Sequence, residues 1–172
     1  MNKSRNNSNG ITLIELIAVI GIIGIIYLVS VPLYRGFQTT MVLKSTAQGV
    51  KNYIEQAKSN ALNYNRTFTV ELNPTDQKLT TKDSLEDLQT SDPTAYAQEI
   101  SEGGAIQKIK DFIAPKQVAI TMTEGANNKI AVSSSNTMNA CSIWIQKTGT
   151  TRYYTITTNS TGGVRIYAYK KN

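Results

Sequence analysis

The hydrophobic pattern of the chain changes its period twice. Residues 11–31, "ITLIELIAVIGIIGIIYLVSV", are apolar almost without interruption, with Glu15 as the one charged position. The run reaches the ~20 residues that a helix needs to cross a bilayer. Further along the pattern becomes amphipathic: Leu43, Ala47, Val50, Ile54, Ala57, Ala61 and Tyr64 recur at alternating spacings of four and three. That spacing draws one face of a helix, with Lys44, Lys51, Glu55 and Lys58 on its other faces. The pattern predicts a continuous helix from Ile11 to about Tyr64, roughly 80 Å long. Its first half suits lipid, and its second half buries one stripe against a head. Pro32 removes a backbone donor and predicts a kink or a local break. Gly21 and Gly24 suit close packing between membrane helices, or else only add flexibility.

After Asn63–Asn65 the period becomes two. In "TFTVEL", Phe68, Val70 and Leu72 alternate with Thr67, Thr69 and Glu71, as in a half-buried strand. The same alternation runs through "QVAITMT", "KIAVS", "CSIWIQ", "RYYTITT" and "GVRIYAY", separated by turn signals at 125–128, Gly149 and 159–163. Short strands in succession imply an antiparallel sheet. Packed on the amphipathic half-helix, that sheet makes an α+β head. Segment 73–115 interrupts the pattern. "SDPTAYAQEISEGG" reads as a short helix capped by Asp92 with Pro93 in its first turn. "AIQKIKDFIAP" has Ile106, Ile109 and Ile113 at helical spacing. The whole segment reads as an acidic, partly helical insertion, with a disordered loop at 73–91 as the alternative.

Composition narrows the chemistry. Net charge is +6 over 172 residues, with an acidic excess in 67–115 between basic flanks. Histidine is absent, and Cys141 is the only cysteine, so neither a zinc site nor a histidine-based catalytic site can be built. Within "ACSIWIQ", Cys141 reads as a small buried strand residue. The acidic residues Asp83, Glu86, Asp87 and Asp92 lack the ligand order and glycine of a calcium loop and read as a solvated cluster. "SSSN" at 133–136 has no nucleophile-activating neighbours and reads as a turn. These residues predict a protein that is not an enzyme and needs no cofactor or metal.

Three readings compete for the first 31 residues. A signal peptide has a shorter apolar stretch and a small-residue cleavage site, neither of which is present. A plain membrane anchor accounts for the apolar run and for Lys3 and Arg5 on the cytoplasmic side. It leaves Glu15 unexplained, at a cost of up to a few kcal/mol if unpaired in lipid. It also leaves unexplained the sharp boundary at Gly10. The stretch "G-ITLIELIAVIGIIGII" resembles the type IV pilin and pseudopilin superfamily, in which a short basic leader ends in glycine before an apolar helix with a glutamate at a fixed offset and a proline further on. Here these map onto Gly10, Glu15 and Pro32, with Ile11 where the family prefers phenylalanine.

The resemblance implies a leader at 1–10, cut by a prepilin peptidase between Gly10 and Ile11, and methylation of the new Ile11 amine. It implies a transmembrane and assembly helix at 11–36 and a globular head at 37–172. Glu15 then neutralises an amine, on its own chain or on the neighbouring subunit; alternatively it pairs only within its own helix. A buried ion pair of this kind is a weak source of stability but a good register device. "YIEQAKSNALNYNRTFTVEL" is similar to the H-type minor pseudopilins and T-type minor pilins (GspH/FimT-like) through Ala57, Lys58, Ser59, Ala61, Asn65 and Arg66, as is the closing "NSTGGVRIY".

The function implied is a structural one, as a subunit, major or minor, of a type IV pilus or a type II secretion-like pseudopilus. Its partners by resemblance are other pilin subunits, the prepilin peptidase, an assembly ATPase with its platform protein, and the membrane before assembly. The N-terminus stays cytoplasmic and the head outside, and the chain then passes into an extracellular filament. The alternative is a minor pilin that binds DNA in uptake, or one used in adhesion. Arg165, Tyr167, Tyr169 and Lys171 alternate onto one face of the last strand, where bases would stack and phosphates be gripped, or where tyrosines merely pack on a neighbour.

Overall fold

The computed structural model describes residues 12–101, 105–123 and 127–170. Two compact units divide between Thr39 and Thr40. One long helix, α1 (Leu13–Asn63), begins in the first unit and ends in the second. In the first unit every side chain from Thr12 to Ser30 is exposed. This part of α1 is long and apolar enough to cross a membrane. The helix runs through Pro32.

In the second unit α1 buries the stripe that the sequence draws: Leu43, Ala47, Val50, Ile54, Ala57 and Ala61 are all in the core. Thr46 and Tyr53 join them, Tyr53 through a 2.7 Å hydrogen bond donated by the Thr81 hydroxyl. Tyr64 is exposed, because the helix has already ended. Asn65 takes a left-handed conformation (φ 51°) and the Arg66 N–H reaches back to the Ala61 carbonyl at 3.1 Å. This closure turns the chain from helix to strand and satisfies a carbonyl that the helix end would orphan.

The head carries two four-stranded sheets rather than one. In the first, β1 (Phe68–Asn73) pairs antiparallel with β2 (Lys78–Asp83) on one side and β5 (Lys129–Val132) on the other, and β3 (Phe112–Ile113) closes the β2 edge. In the second, β4 (Val118–Met122), β6 (Cys141–Lys147), β7 (Arg152–Thr158) and β8 (Val164–Lys170) lie in that order, all antiparallel. Phe68, Val70, Ile120, Ile130, Ile143, Ile145 and Ile156 join the α1 stripe in one apolar cluster. Cys141 is buried in it; burial pushes its thiol pKa up, outweighing the contact from the Thr158 hydroxyl. The architecture is α+β, with the second half of a long N-terminal helix packed on antiparallel sheets.

Segment 73–115 departs from its sequence reading twice. Residues 78–83 form a full strand, not a loop, with Leu79, Thr81 and Asp83 facing inward. Residues 105–111 form no helix or strand, and Phe112–Ile113 are a short strand. Ile109 is buried but Ile113 is exposed, so the helical spacing of the isoleucines is not used. Backbone pairing with the open edge of β2 decides this: Phe112 sits opposite Leu79, and Asp111 forms a 2.6 Å ion pair with Lys78. The two short helices α2 (Ser84–Ser91) and α3 (Pro93–Ser101) complete the insertion. Asp92 caps α3 as its sequence predicts, its carboxylate accepting from the N–H groups of Thr94 and Ala95.

The hairpin between β7 and β8 is tied to α1 where the Lys58 ammonium donates to the Gly162 carbonyl at 2.9 Å. Gly162 has φ +78°, and a Cβ there would lie well inside contact distance of the Asn136 backbone carbonyl. Replacing Gly162 with Ala adds both left-handed strain and a backbone clash. The expected loss is about 2 kcal/mol, read as a melting temperature lowered by roughly 4–8 °C.

Candidate functional sites at the helix start and on the outer sheet face

The first site is the start of α1. The Thr12 N–H and hydroxyl both donate to one Glu15 carboxylate oxygen at 2.8 Å, and the Glu15 N–H reaches back to the Thr12 hydroxyl at 3.4 Å. "TLIE" is therefore a capping box, in which two side chains satisfy donors left over at the helix start. Sequence reasoning assigns Glu15 to an amine, with pairing inside its own helix as the alternative. The described contacts are of this second kind, but Thr12 is not named for them, although Thr followed by Glu three residues on is the box's signature. Gly10 and Ile11, the expected cleavage and methylation positions, lie outside the described residues, as does Lys171.

The second site is the outward face of the β4-β6-β7-β8 sheet. Strand register sets it out as a grid. One row across the strands is Ala119, Gln146, Tyr153 and Tyr169. The next is Thr121, Trp144, Thr155 and Tyr167. A third holds Ser142, Thr157 and Arg165. Arg165, Tyr167 and Tyr169 are thus brought onto one exposed face, opposite Val164 and Ile166, which pack on the core.

The sequence places three members of this face on one strand but misses Trp144 and Tyr153, which strand pairing delivers from β6 and β7. Trp144 and Tyr153 stack with ring centroids 5.7 Å apart and planes 14° apart, and Tyr153 and Tyr169 stack at 5.3 Å and 15°. Tyr167 lies tilted 40° against Tyr169 at 6.4 Å. Beside Trp144 the grid drops to small residues, and a cleft of about 330 Å³ opens, lined by Ala119, Thr121, Trp144, Gln146 and Tyr153. Among the described residues, no group of three or more acidic or cysteine side chains is placed to hold a metal ion.

The end of α1, which carries the pseudopilin-like residues, has a structural account. Ala57 and Ala61 are fully buried, where their small side chains let the sheets approach, while Lys58 bonds the closing hairpin and Asn65 makes the left-handed turn. Arg66 spans the insertion: its guanidinium bonds Glu99 at 2.9 Å, the Ala105 carbonyl at 3.1 Å and buried Asp83 at 3.5 Å.

No family model matches the chain, and no curated protein matches it in sequence. Solved structures do. The minor pseudopilin EpsH from the type 2 secretion system of Vibrio cholerae superposes with a TM-score of 0.54 at 16% identity, over 73% of this chain and 96% of its own. The type IV minor pilin FimU of Pseudomonas aeruginosa superposes with a TM-score of 0.54 at 11% identity, over 76% of this chain and 92% of its own. With the long helix, the two antiparallel sheets and the closing hairpin, this chain has the pilin fold, in the form seen in H-type minor pseudopilins and FimU-like minor pilins.

Proposed function

We propose that this chain is a subunit of a type IV pilus or a type II secretion-like pseudopilus, cut after Gly10, methylated on Ile11 and assembled through its N-terminal helix. The observation that carries the proposal is the pairing of two parts on one helix. A head of pilin fold grows from its second half, and its first half is an exposed apolar rod opening on Thr12 and Glu15. Apolar side chains left in water at this density need another environment. A bilayer supplies it before assembly, and the helices of other subunits supply it in a filament.

In this scheme the prepilin peptidase acts at the cytoplasmic face, and the ATPase and platform protein drive extrusion. The head stays outside, and the helix kinks at Pro32 to pack among its neighbours. The chain's role is packing, with no reaction of its own.

In its own cell, the mature chain is expected to lack the first ten residues and to carry one methyl group on the Ile11 amine, read by intact mass and amino-terminal sequencing. It is also expected in the filament fraction sheared or pulled from the envelope. A bulky residue at Gly10, such as Gly10→Val, is expected to leave the full-length form in the membrane. A full-length, unmethylated wild-type chain absent from filaments overturns the proposal.

A further inference from the structure

We infer that the outer face of the β4-β6-β7-β8 sheet docks an uncharged glycan, with the cleft beside Trp144 receiving one pyranose ring. Three large aromatic side chains stand in water there: Trp144 is 45% exposed, Tyr167 40% and Tyr169 48%. The core does not need them, since the inward residues of the same strands fill it. Stacking fixes their rings before any ligand arrives, which lowers the entropy cost of binding.

The stack also has an open end. Tyr153 covers one side of the Trp144 indole, while on the β4 side the outward residues are Ala119 and Thr121, too small to cover the other. The cleft between them presents an apolar wall, a shallow floor and polar groups at its rim. Gln146 is held there by its amide nitrogen, which donates to the Thr150 carbonyl at 3.1 Å. Its Oε1 and the Thr121 hydroxyl have no hydrogen-bond partner among the described residues.

Charge chooses among the ligands that such a face can take. The described grid holds no acid and one cation, Arg165; Lys171, outside the described residues, continues the same alternation in sequence. A nucleic acid is held mainly by many lysine or arginine contacts along its phosphates, so cations confined to the one strand β8 are a sparse match for a polyanion. A stable protein partner buries about 800 Å² of surface on each side around an apolar centre, whereas here threonine, serine and glutamine interrupt the rings throughout. A neutral pyranose fits this mixture. Its C–H face lies against an aromatic ring, and its ring of hydroxyls exchanges water for the amide and hydroxyl groups between the aromatics. An extended β-linked chain of such units would run from the cleft along the tyrosines. This inference does not rest on the filament reading.

The test uses the full chain in a detergent without a sugar headgroup. Trp144 is the only tryptophan, so its emission reports the cleft directly. Glucose and N-acetylglucosamine β-linked hexasaccharides are titrated separately, beside a single-stranded oligonucleotide at low salt. A saturable change in emission with at least one hexasaccharide, insensitive to salt, is expected. By calorimetry, Trp144→Ala is expected to weaken binding roughly tenfold or more. Ala119→Trp, which fills the cleft and keeps Trp144, is expected to do the same with an unchanged melting temperature. Three results overturn the inference: no saturable response to either sugar, sugar binding that survives Trp144→Ala, or salt-dependent binding of the oligonucleotide alone.

Discussion

Replacing Asp83 with Ala is expected to lower the stability of the head by about 3–5 kcal/mol. Asp83 ends β2 and is fully buried, an unusual place for a carboxylate. It is tolerated because both of its oxygens are engaged. One accepts the Leu85 N–H at 3.1 Å and so caps α2; the other accepts the Gln107 N–H at 3.1 Å and faces the Arg66 guanidinium at 3.5 Å. Deleting the carboxylate orphans two backbone donors and leaves the mostly buried Arg66 with Glu99 and a carbonyl alone. The cost of breaking such a pair is far larger than its net contribution would be against an apolar replacement of similar shape, because one charge stays behind in a dry place. Asp83→Asn keeps the volume and one acceptor but turns an NH₂ group toward other donors, so about half the loss is expected. Thermal melts of the full chain in detergent should fall by roughly 6–20 °C for Asp83→Ala. Hydrogen exchange should rise first in α2, α3 and residues 105–109, which this carboxylate ties to the end of α1. A change below about 1 kcal/mol would mean that the network adds nothing beyond a surface pair.

This network also marks where the sequence stops being readable. The amphipathic stripe of α1 and the strands around Phe68, Val118, Ile130, Ile143, Ile156 and Ile166 follow from local period alone, since each turns inward the residues that its alternation picks out. β2 does not. Its inward positions are Leu79, Thr81 and Asp83, and only one of them is apolar, because Thr81 bonds Tyr53 and Asp83 meets Arg66. Those partners are 28 and 17 residues away, beyond the reach of any local window. The isoleucines at 106, 109 and 113 err in the opposite direction. Their spacing fits a helix, but an unpaired strand edge beside them offers backbone hydrogen bonds that outweigh it. On the outer sheet face, alternation in β8 is enough to place Arg165, Tyr167 and Tyr169 together. Trp144 and Tyr153 join them only through register across three strands. At the helix start the local signal is present in Thr12 and Glu15, but the same glutamate also fits the wider family pattern, which masks it.

That double role of Glu15 makes its substitutions the sharpest test of the filament reading. In the described chain Glu15 serves Thr12 as half of a capping box. Under the proposed function, removal of the leader places a charged Ile11 amine within reach of the same carboxylate, or of one on the neighbouring subunit. The two roles separate chemically. Glu15→Gln keeps an amide oxygen for the Thr12 donors, and glutamine is itself a capping-box residue. The amide carries no charge, so it leaves the amine unneutralised among apolar helices. Glu15→Gln should therefore insert, be cleaved and start its helix normally, yet fail to enter filaments. Glu15→Ala loses the cap as well and should fail in the same way. An uncompensated charge in such surroundings costs about 3–5 kcal/mol, on the order of a hundredfold or more in incorporation. Filament yield of each variant, normalised to processed chain in the membrane, measures it. If Glu15→Gln assembles like the wild type while Glu15→Ala does not, the cap alone matters and the ion pair is discarded. If both assemble normally, Glu15 has no part in assembly, and the apolar rod alone must hold the subunits in register.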